Sequence, residues 1–267
     1  MSYQWIVLEK EESIATIILN RPDRMNSLIP PMRVEIRHAI EDIAADDTIR
    51  VLILTGTERA FCAGADVTTV AEQTELAEDE PGRERLLQPI ATGRIVFALQ
   101  KLNKPTIAAI NGVAAGSGTA LALACDIIVA SDQARFRIAF TRMGLSPGDG
   151  VSYFLPRAVG LHKALELVYT NEIVEAVEME RIGLVNKVVP HTELMKVAKE
   201  MAVKIAQMPP LTLALAKQVV YQSDAAADFE SQMTSEMFRI KVLQETEDHK
   251  EAARSFIEKR QPVYRGR

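Results

Sequence analysis

At 267 residues the chain can hold one large domain, or one core with a smaller appendage. Its 48% apolar and 25% charged content argues against long disorder, and a net charge of −5 gives no footprint for nucleic acid. No apolar run approaches the ~20 residues needed to cross a bilayer.

Met1-Ser2-Tyr3-Gln4-Trp5 reads as a strand edge and not as a secretory leader. Cys62 and Cys125 are too few for a disulfide framework and fit a reducing compartment. The four histidines and two cysteines show no metal-ligand spacing. A soluble, cytoplasmic, metal-free protein is expected.

In chain order, residues 4–9 and 13–19 read as strands, the second rich in β-branched side chains. Pro30-Pro31 open a helix to about Ala45, with Val34, Ile36, Ile40 and Ile43 at its apolar positions. Val51–Gly56, Pro105–Ile110 and Ile127–Val129 are apolar runs of the kind found in buried parallel strands. An Ala/Gly/Leu helix near 116–125 has side chains small enough to be packed on all sides. Residues 66–88 carry Glu72, Glu75, Glu78, Asp79, Glu80 and Glu84; they read as a solvated face, with a mobile lid as the functional alternative. From about residue 192 the pattern is helical, near 192–207, 210–222 and 226–259, with Pro209-Pro210 as the breaker.

Two glycine-rich segments each follow a strand: Phe61-Cys62-Ala63-Gly64-Ala65-Asp66, and Asn111-Gly112-Val113-Ala114-Ala115-Gly116-Ser117-Gly118. Glycine removes bulk so that a ligand can reach the backbone amides, and a helix N-terminus adds a positive dipole end. Two such amides converging on one point make an oxyanion hole. Each segment alone reads equally well as a tight turn. Leu121 breaks the dinucleotide fingerprint, and no Walker lysine pattern or nucleophile elbow is present.

Taken together, the two segments resemble those of the crotonase superfamily of enoyl-CoA hydratases and isomerases. The likeness extends through Leu19-Asn20-Arg21-Pro22, Lys104–Gly112, Ala124-Cys125-Asp126-Ile127, Leu155-Pro156-Arg157 and Phe256–Arg260. It implies an α/β spiral of β-β-α units over about residues 1–195, and a helical region over 196–267 that builds a homotrimer or a dimer of trimers. It also implies an acyl-CoA thioester substrate, with coenzyme A as part of that substrate and no separate cofactor. By the same resemblance the N–H groups of Ala65 and Ser117 bind the thioester oxygen. Ser117 stands where the family usually has glycine, which is tolerable if the hydroxyl turns away. Ala63 and Asp66 are placed near the adenine, and Arg24, Lys259 and Arg260 near the phosphates.

One departure decides the chemistry. The family's hydratases use two glutamates, and the matching positions here are Ala120 and Phe140, neither of which can move a proton. Asp149, in Ser146-Pro147-Gly148-Asp149-Gly150, is the carboxylate that remains. Related isomerases and dehalogenases place an aspartate over Gly148 instead, and Pro-Gly-Asp-Gly is also ordinary turn chemistry. The preferred expectation is isomerisation of an unsaturated, even cyclic, acyl-CoA through an enolate. Alternatives are an atypical hydratase, an aspartate-nucleophile hydrolase or dehalogenase, and a non-catalytic CoA-thioester scaffold. Phe136, Phe140, Met143 and Tyr153 are the candidates for an acyl pocket.

Overall fold

Strands β1 (Ile6–Glu11) and β2 (Ile14–Leu19) pair antiparallel, and β2 then runs parallel to β3 (Val51–Gly56). The computed structural model that shows this describes residues 3–68, 91–223 and 226–267. Between β2 and β3 lies α1 (Pro30–Ala45), opened by its prolines, with Met32, Ile36, Ala39, Ile40 and Ile43 buried at helical spacing.

Beyond β3 the chain alternates between two sheets. β3 leads to β4 (Ala60–Cys62), β5 (Thr106–Ile110) to β6 (Val113–Ala115), and β7 (Ile127–Ser131) to β8 (Arg135–Arg137). The first sheet has the order β1-β2-β3-β5-β7-β10, with β10 at Lys187–Val189; the second runs β4-β6-β8-β9, with β9 at Val174–Glu175. Each strand-to-strand step, followed by a helix, is one turn of a spiral. The corner after β3 is held by side-chain amides: Asn26 Nδ2 donates to Ala60 O at 2.7 Å, and Asn111 Nδ2 to Glu58 O at 2.7 Å.

Strand pleating divides the core. Val51 and Ile53 face one layer with Ile107, Ala109 and Val129, whereas Leu52 and Leu54 face the other with Ala108 and Ile110. Helix α7 (Leu194–Ala206) covers the first layer through Leu194 and then Ala198, Ala202 and Ala206, one small side chain in each of the later turns. Both faces of the sheet are covered, which explains the unbroken apolar runs. The boundary expected at residues 195–196 falls inside this helix.

On the other face lie α2 (Ala91–Lys101), α3 (Ser117–Leu123), with all seven residues buried, α4 (Val151–Val159), α5 (Leu161–Thr170) and α6 (Ala176–Arg181). The tail continues as α8 (Pro210–Ser223), α9 (Phe229–Gln244) and α10 (Glu247–Glu258). The single helix expected over 226–259 is therefore two, because Thr246 caps α10 by accepting from the His249 N–H. Helix α9 buries no residue and exposes Phe229, Met237 and Phe238. Most of the acidic 66–88 stretch, including Glu72 and Glu75, lies outside the described residues. Among the described residues no helix is long and apolar enough to cross a membrane.

Candidate active site

The two glycine-rich segments meet. Gly64 has a φ of +98°, and a Cβ there would lie 2.8 Å from Ala115 O and 3.5 Å from Ser117 N. A Cβ on Gly118 would lie 2.0 Å from Cys62 O, so the start of α3 rests directly on the end of β4. The Leu28 N–H donates to Gly64 O and the Asp66 N–H to Leu28 O, a bridge that leaves the Ala65 N–H between them without an acceptor among the described residues. Ser117 is the first residue of α3, so its N–H has no intrahelical acceptor. Two free amides thus stand on adjoining loops, one of them at a helix N-terminus. This is the arrangement that receives a developing oxyanion.

Asp66 braces this loop from within. Its carboxylate is 6% exposed and accepts from Thr68 Oγ1 at 2.6 Å and from Arg21 Nη1 at 2.6 Å. The Thr68 hydrogen bond, and then the Arg21 guanidinium, hold this carboxyl well below the usual carboxylate range. The side chain is committed to the protein, and the Asp66 N–H to Leu28 O. Ala63 donates its N–H to Met25 O at 3.0 Å, and this carries the exposed Arg24 side chain onto the same loop pair. Lys259 caps the C-terminus of α10 and Arg260 follows it, held by Glu251 and Glu258. Among the described residues neither bonds to the Met25–Asp66 region.

Asp149 lies beside the two amides. Its Oδ2 accepts from Ser117 Oγ at 2.7 Å, whereas its Oδ1 is buried with no hydrogen-bond partner among the described residues. The Ser117 hydroxyl therefore does not turn away, as its amide role alone would require; it grips the carboxylate. Burial pushes the Asp149 carboxyl above the ordinary range, against the Ser117 hydrogen bond and the charge of Arg33, which pull it down. Asp149 itself has a φ of +53°, a left-handed conformation uncommon outside glycine. Ala120 is fully buried in α3 and Phe140 packs against the core.

A cavity of about 570 Å³ opens at Asp149, lined by Gly93, Val96, Phe97, Gln100, Gly150, Tyr153, Phe154 and Tyr221. Of the four pocket candidates, only Tyr153 lines it. Phe136 is core at 1% exposure, Phe140 lies behind Gly148, and Met143 is 57% exposed. The walls come instead from α2, α4 and the tail helix α8. Tyr221 on α8 donates to Asp126 Oδ1 at 3.0 Å, and Lys217, one turn earlier, pairs with Asp126 Oδ2 at 3.0 Å. Burial pushes the Cys62 and Cys125 thiols up to about 12, which removes both as nucleophiles.

Arg21, Arg33 and Tyr221 were not assigned from sequence. Arg21 and Asp126 sit in motifs that carry the family resemblance, but their partners are far along the chain. Arg33, between buried Met32 and exposed Val34 in an amphipathic helix, gives no local signal.

A family model for enoyl-CoA hydratase/isomerase matches residues 9–267. The chain belongs to this family. It is 38% identical over 261 residues to a short-chain-enoyl-CoA hydratase of Clostridium acetobutylicum, covering 96% of this chain and 95% of that one. It is 34% identical over 266 residues to a 1,2-epoxyphenylacetyl-CoA isomerase of Escherichia coli, covering 99% of each. Among solved structures, an enoyl-CoA hydratase of Bacillus anthracis superposes with a TM-score of 0.89 at 34% identity, covering 99% of this chain and 100% of that one. These matches establish the crotonase-type spiral and an enzyme of acyl-CoA metabolism.

Proposed function

We propose that the enzyme isomerises an unsaturated acyl-CoA, with Asp149 as the single acid–base group and the Ala65 and Ser117 amides as the oxyanion hole. The observation that carries this reading is the Asp149 carboxylate: one oxygen is held by Ser117, and the other has no partner among the described residues and lies beside an apolar cavity. Isomerisation needs one carboxylate, which removes a proton near the thioester and returns it elsewhere on the chain while the amides hold the dienolate. Hydration needs a base for water and an acid at the α-carbon, and Ala120 and Phe140 supply neither. The isomerase relative supports the reading and the hydratase relative is its competitor.

In this reading Arg24, Lys259 and Arg260 face the CoA phosphates, and Ala63 and Asp66 offer backbone groups to the adenine. No separate cofactor takes part. The exposed apolar side chains of α9 support a trimer, or a dimer of trimers, built through the tail. Two buried, reduced cysteines fit a cytoplasmic setting.

The test is exchange of acyl protons with heavy water, using butyryl-CoA and a panel of enoyl- and dienoyl-CoA substrates. Isotope uptake with double-bond migration is expected, and Asp149→Asn should abolish both. Net water addition without migration would assign a hydratase. Heavy oxygen from water in Asp149 after one turnover would assign a nucleophile. Tight binding with no exchange would assign a scaffold.

A further inference from the structure

Helix α5 ends at Asn171, which has a φ of +53° and whose N–H closes the last turn on Leu167 O. Glycine is the usual residue at a left-handed helix end, and asparagine the main alternative. Here the asparagine is buried, and its side chain is spent on a different element. Asn171 Oδ1 accepts from Arg137 Nε at 3.2 Å and from the Ala139 N–H at 3.0 Å, and Asn171 O accepts from the same Arg137 Nε at 3.0 Å. Arg137 is the last residue of β8 and makes no ion pair among the described residues.

Both residues held by Asn171 bear on Gly116, the residue before Ser117. Arg137 O accepts from the Gly116 N–H at 3.1 Å and from Thr119 Oγ1 at 2.9 Å. Ala139, itself left-handed at a φ of +61°, has its Cβ 3.7 Å from where a Cβ on Gly116 would stand. Gly116 has a φ of +52°, and its carbonyl accepts from the Ala120 N–H at 3.1 Å. The peptide joining Gly116 to Ser117 is planar, so the Gly116 dihedrals set the direction of the Ser117 N–H.

We propose that Asn171 is a positioning residue of the oxyanion hole: through Arg137 and Ala139 it holds Gly116 in the conformation that aims the Ser117 N–H at the thioester oxygen. The proposal rests on the reading that this amide receives that oxygen. Asn171 does not line the cavity at Asp149; it acts through the backbone of residues 137–139. A left-handed alanine is unfavourable and persists only where its surroundings hold it. Without the Asn171 carboxamide, Ala139 relaxes, the Arg137 carbonyl loses its anchor, and Gly116 follows. A displacement of about 1 Å at a reacting group can cost a factor of about 10² in rate.

Two substitutions at residue 171 separate this role from helix capping. Asn171→Gly suits the left-handed helix end and keeps the backbone carbonyl, but deletes Oδ1. Asn171→Asp keeps an accepting oxygen in the same place. The probe is butyryl-CoA labelled with carbon-13 at the thioester carbonyl, bound to the full-length protein. Hydrogen bonds from the hole lower the infrared stretching frequency of that carbonyl, so the band reports the two amides directly. Asn171→Gly should return the band toward its free position and slow α-proton exchange in heavy water by about 10–100-fold. The Kd for butyryl-CoA should stay within about threefold. Asn171→Asp should restore both band and rate. Arg137→Met removes the other half of the pair and should move the band as Asn171→Gly does; it carries the test if Asn171→Gly does not fold. A band that stays put in these variants, or a loss that the aspartate fails to restore, would overturn the positioning role. A band unshifted even in the unaltered protein would overturn the oxyanion reading of Ser117 and this role with it. A shifted band without proton exchange in the unaltered protein would overturn the isomerase reading alone, and the band would still decide the role of Asn171.

Discussion

The Ser117 hydroxyl donates to Asp149 Oδ2 at 2.7 Å, so the residue whose amide we propose for the thioester oxygen also fixes the carboxylate beside it. Ser117→Ala is therefore not silent, as an amide-only role would make it. The lost hydrogen bond was holding the Asp149 carboxyl down, so its pKa rises further. A base works when ionised, and rate is lost as pH falls through that pKa. The acid limb of the kcat/KM profile should accordingly move to higher pH in Ser117→Ala. An unmoved limb would mean that the hydroxyl has no hold on the base. Ser117→Pro keeps a residue suited to the first helical position but removes the N–H, and should cost a further factor of about 10²–10³ relative to Ser117→Ala.

Asp149→Asn should lower turnover at least 100-fold, within the roughly 10²–10⁴-fold range of positioned acid–base groups, with acyl-CoA affinity nearly unchanged. Its effect on stability should have the opposite sign. Burial raises the folded-state pKa above that of the unfolded chain, so between the two values the folded protein binds more protons and stability falls as pH rises. At neutral pH the ionised side chain works against folding. Thermal melts should show Asp149→Asn melting above the unaltered protein at neutral pH, with the difference shrinking in acid.

Arg21 and Asp66 form an ion pair at 2.6 Å with side chains 14% and 6% exposed. Arg21→Met leaves the carboxylate buried and should destabilise by about 3–5 kcal/mol in urea titrations at neutral pH. Because the Asp66 pKa is depressed, its stabilising contribution is full above the ordinary carboxylate range and is lost as pH falls. The defect of Arg21→Met should therefore diminish in acid. A constant defect would point to lost packing instead of lost charge.

Tyr221→Ala removes the cavity wall contributed by α8 and should shift kcat/KM toward longer or bulkier acyl chains. Tyr221→Phe keeps the ring and loses the hydroxyl's bonds to Asp126 and Gln100, so its chain-length profile should match that of the unaltered enzyme. Turnover measured on unsaturated homologues of differing chain length and branching separates the two. Identical profiles for both variants would remove Tyr221 from the acyl wall.

The spiral was legible because its signals are local. Apolar runs such as Val51–Gly56 mark buried strands, and the two glycine-rich segments mark places where backbones must touch, as Gly118 does at Cys62. Asp149 stood out by elimination once Ala120 and Phe140 filled the usual acid–base positions. What escaped depends on long-range packing. Nothing in the sequence near Tyr221 points to Asp126, and an arginine at position 33 reads as surface until α2 lies against it. Phe136 and Met143 show the converse: an apolar side chain close in sequence to a site can belong to the core or to the surface.

Helix α8 has a second consequence, one of descent more than of mechanism. Its fourteen residues supply both a wall of the cavity at Asp149, through Tyr221, and the fastening of the tail to the core, through Lys217 on Asp126 and Gln218 on Asn103. Changes selected for a new acyl group and changes tolerated in tail docking therefore fall on the same short segment, one turn apart. A lineage that drifts at Tyr221 must keep Lys217 seated, or lose the fastening along with the old specificity. Divergence in substrate should leave its record here, in the last third of the chain, while the oxyanion loops stay as they are.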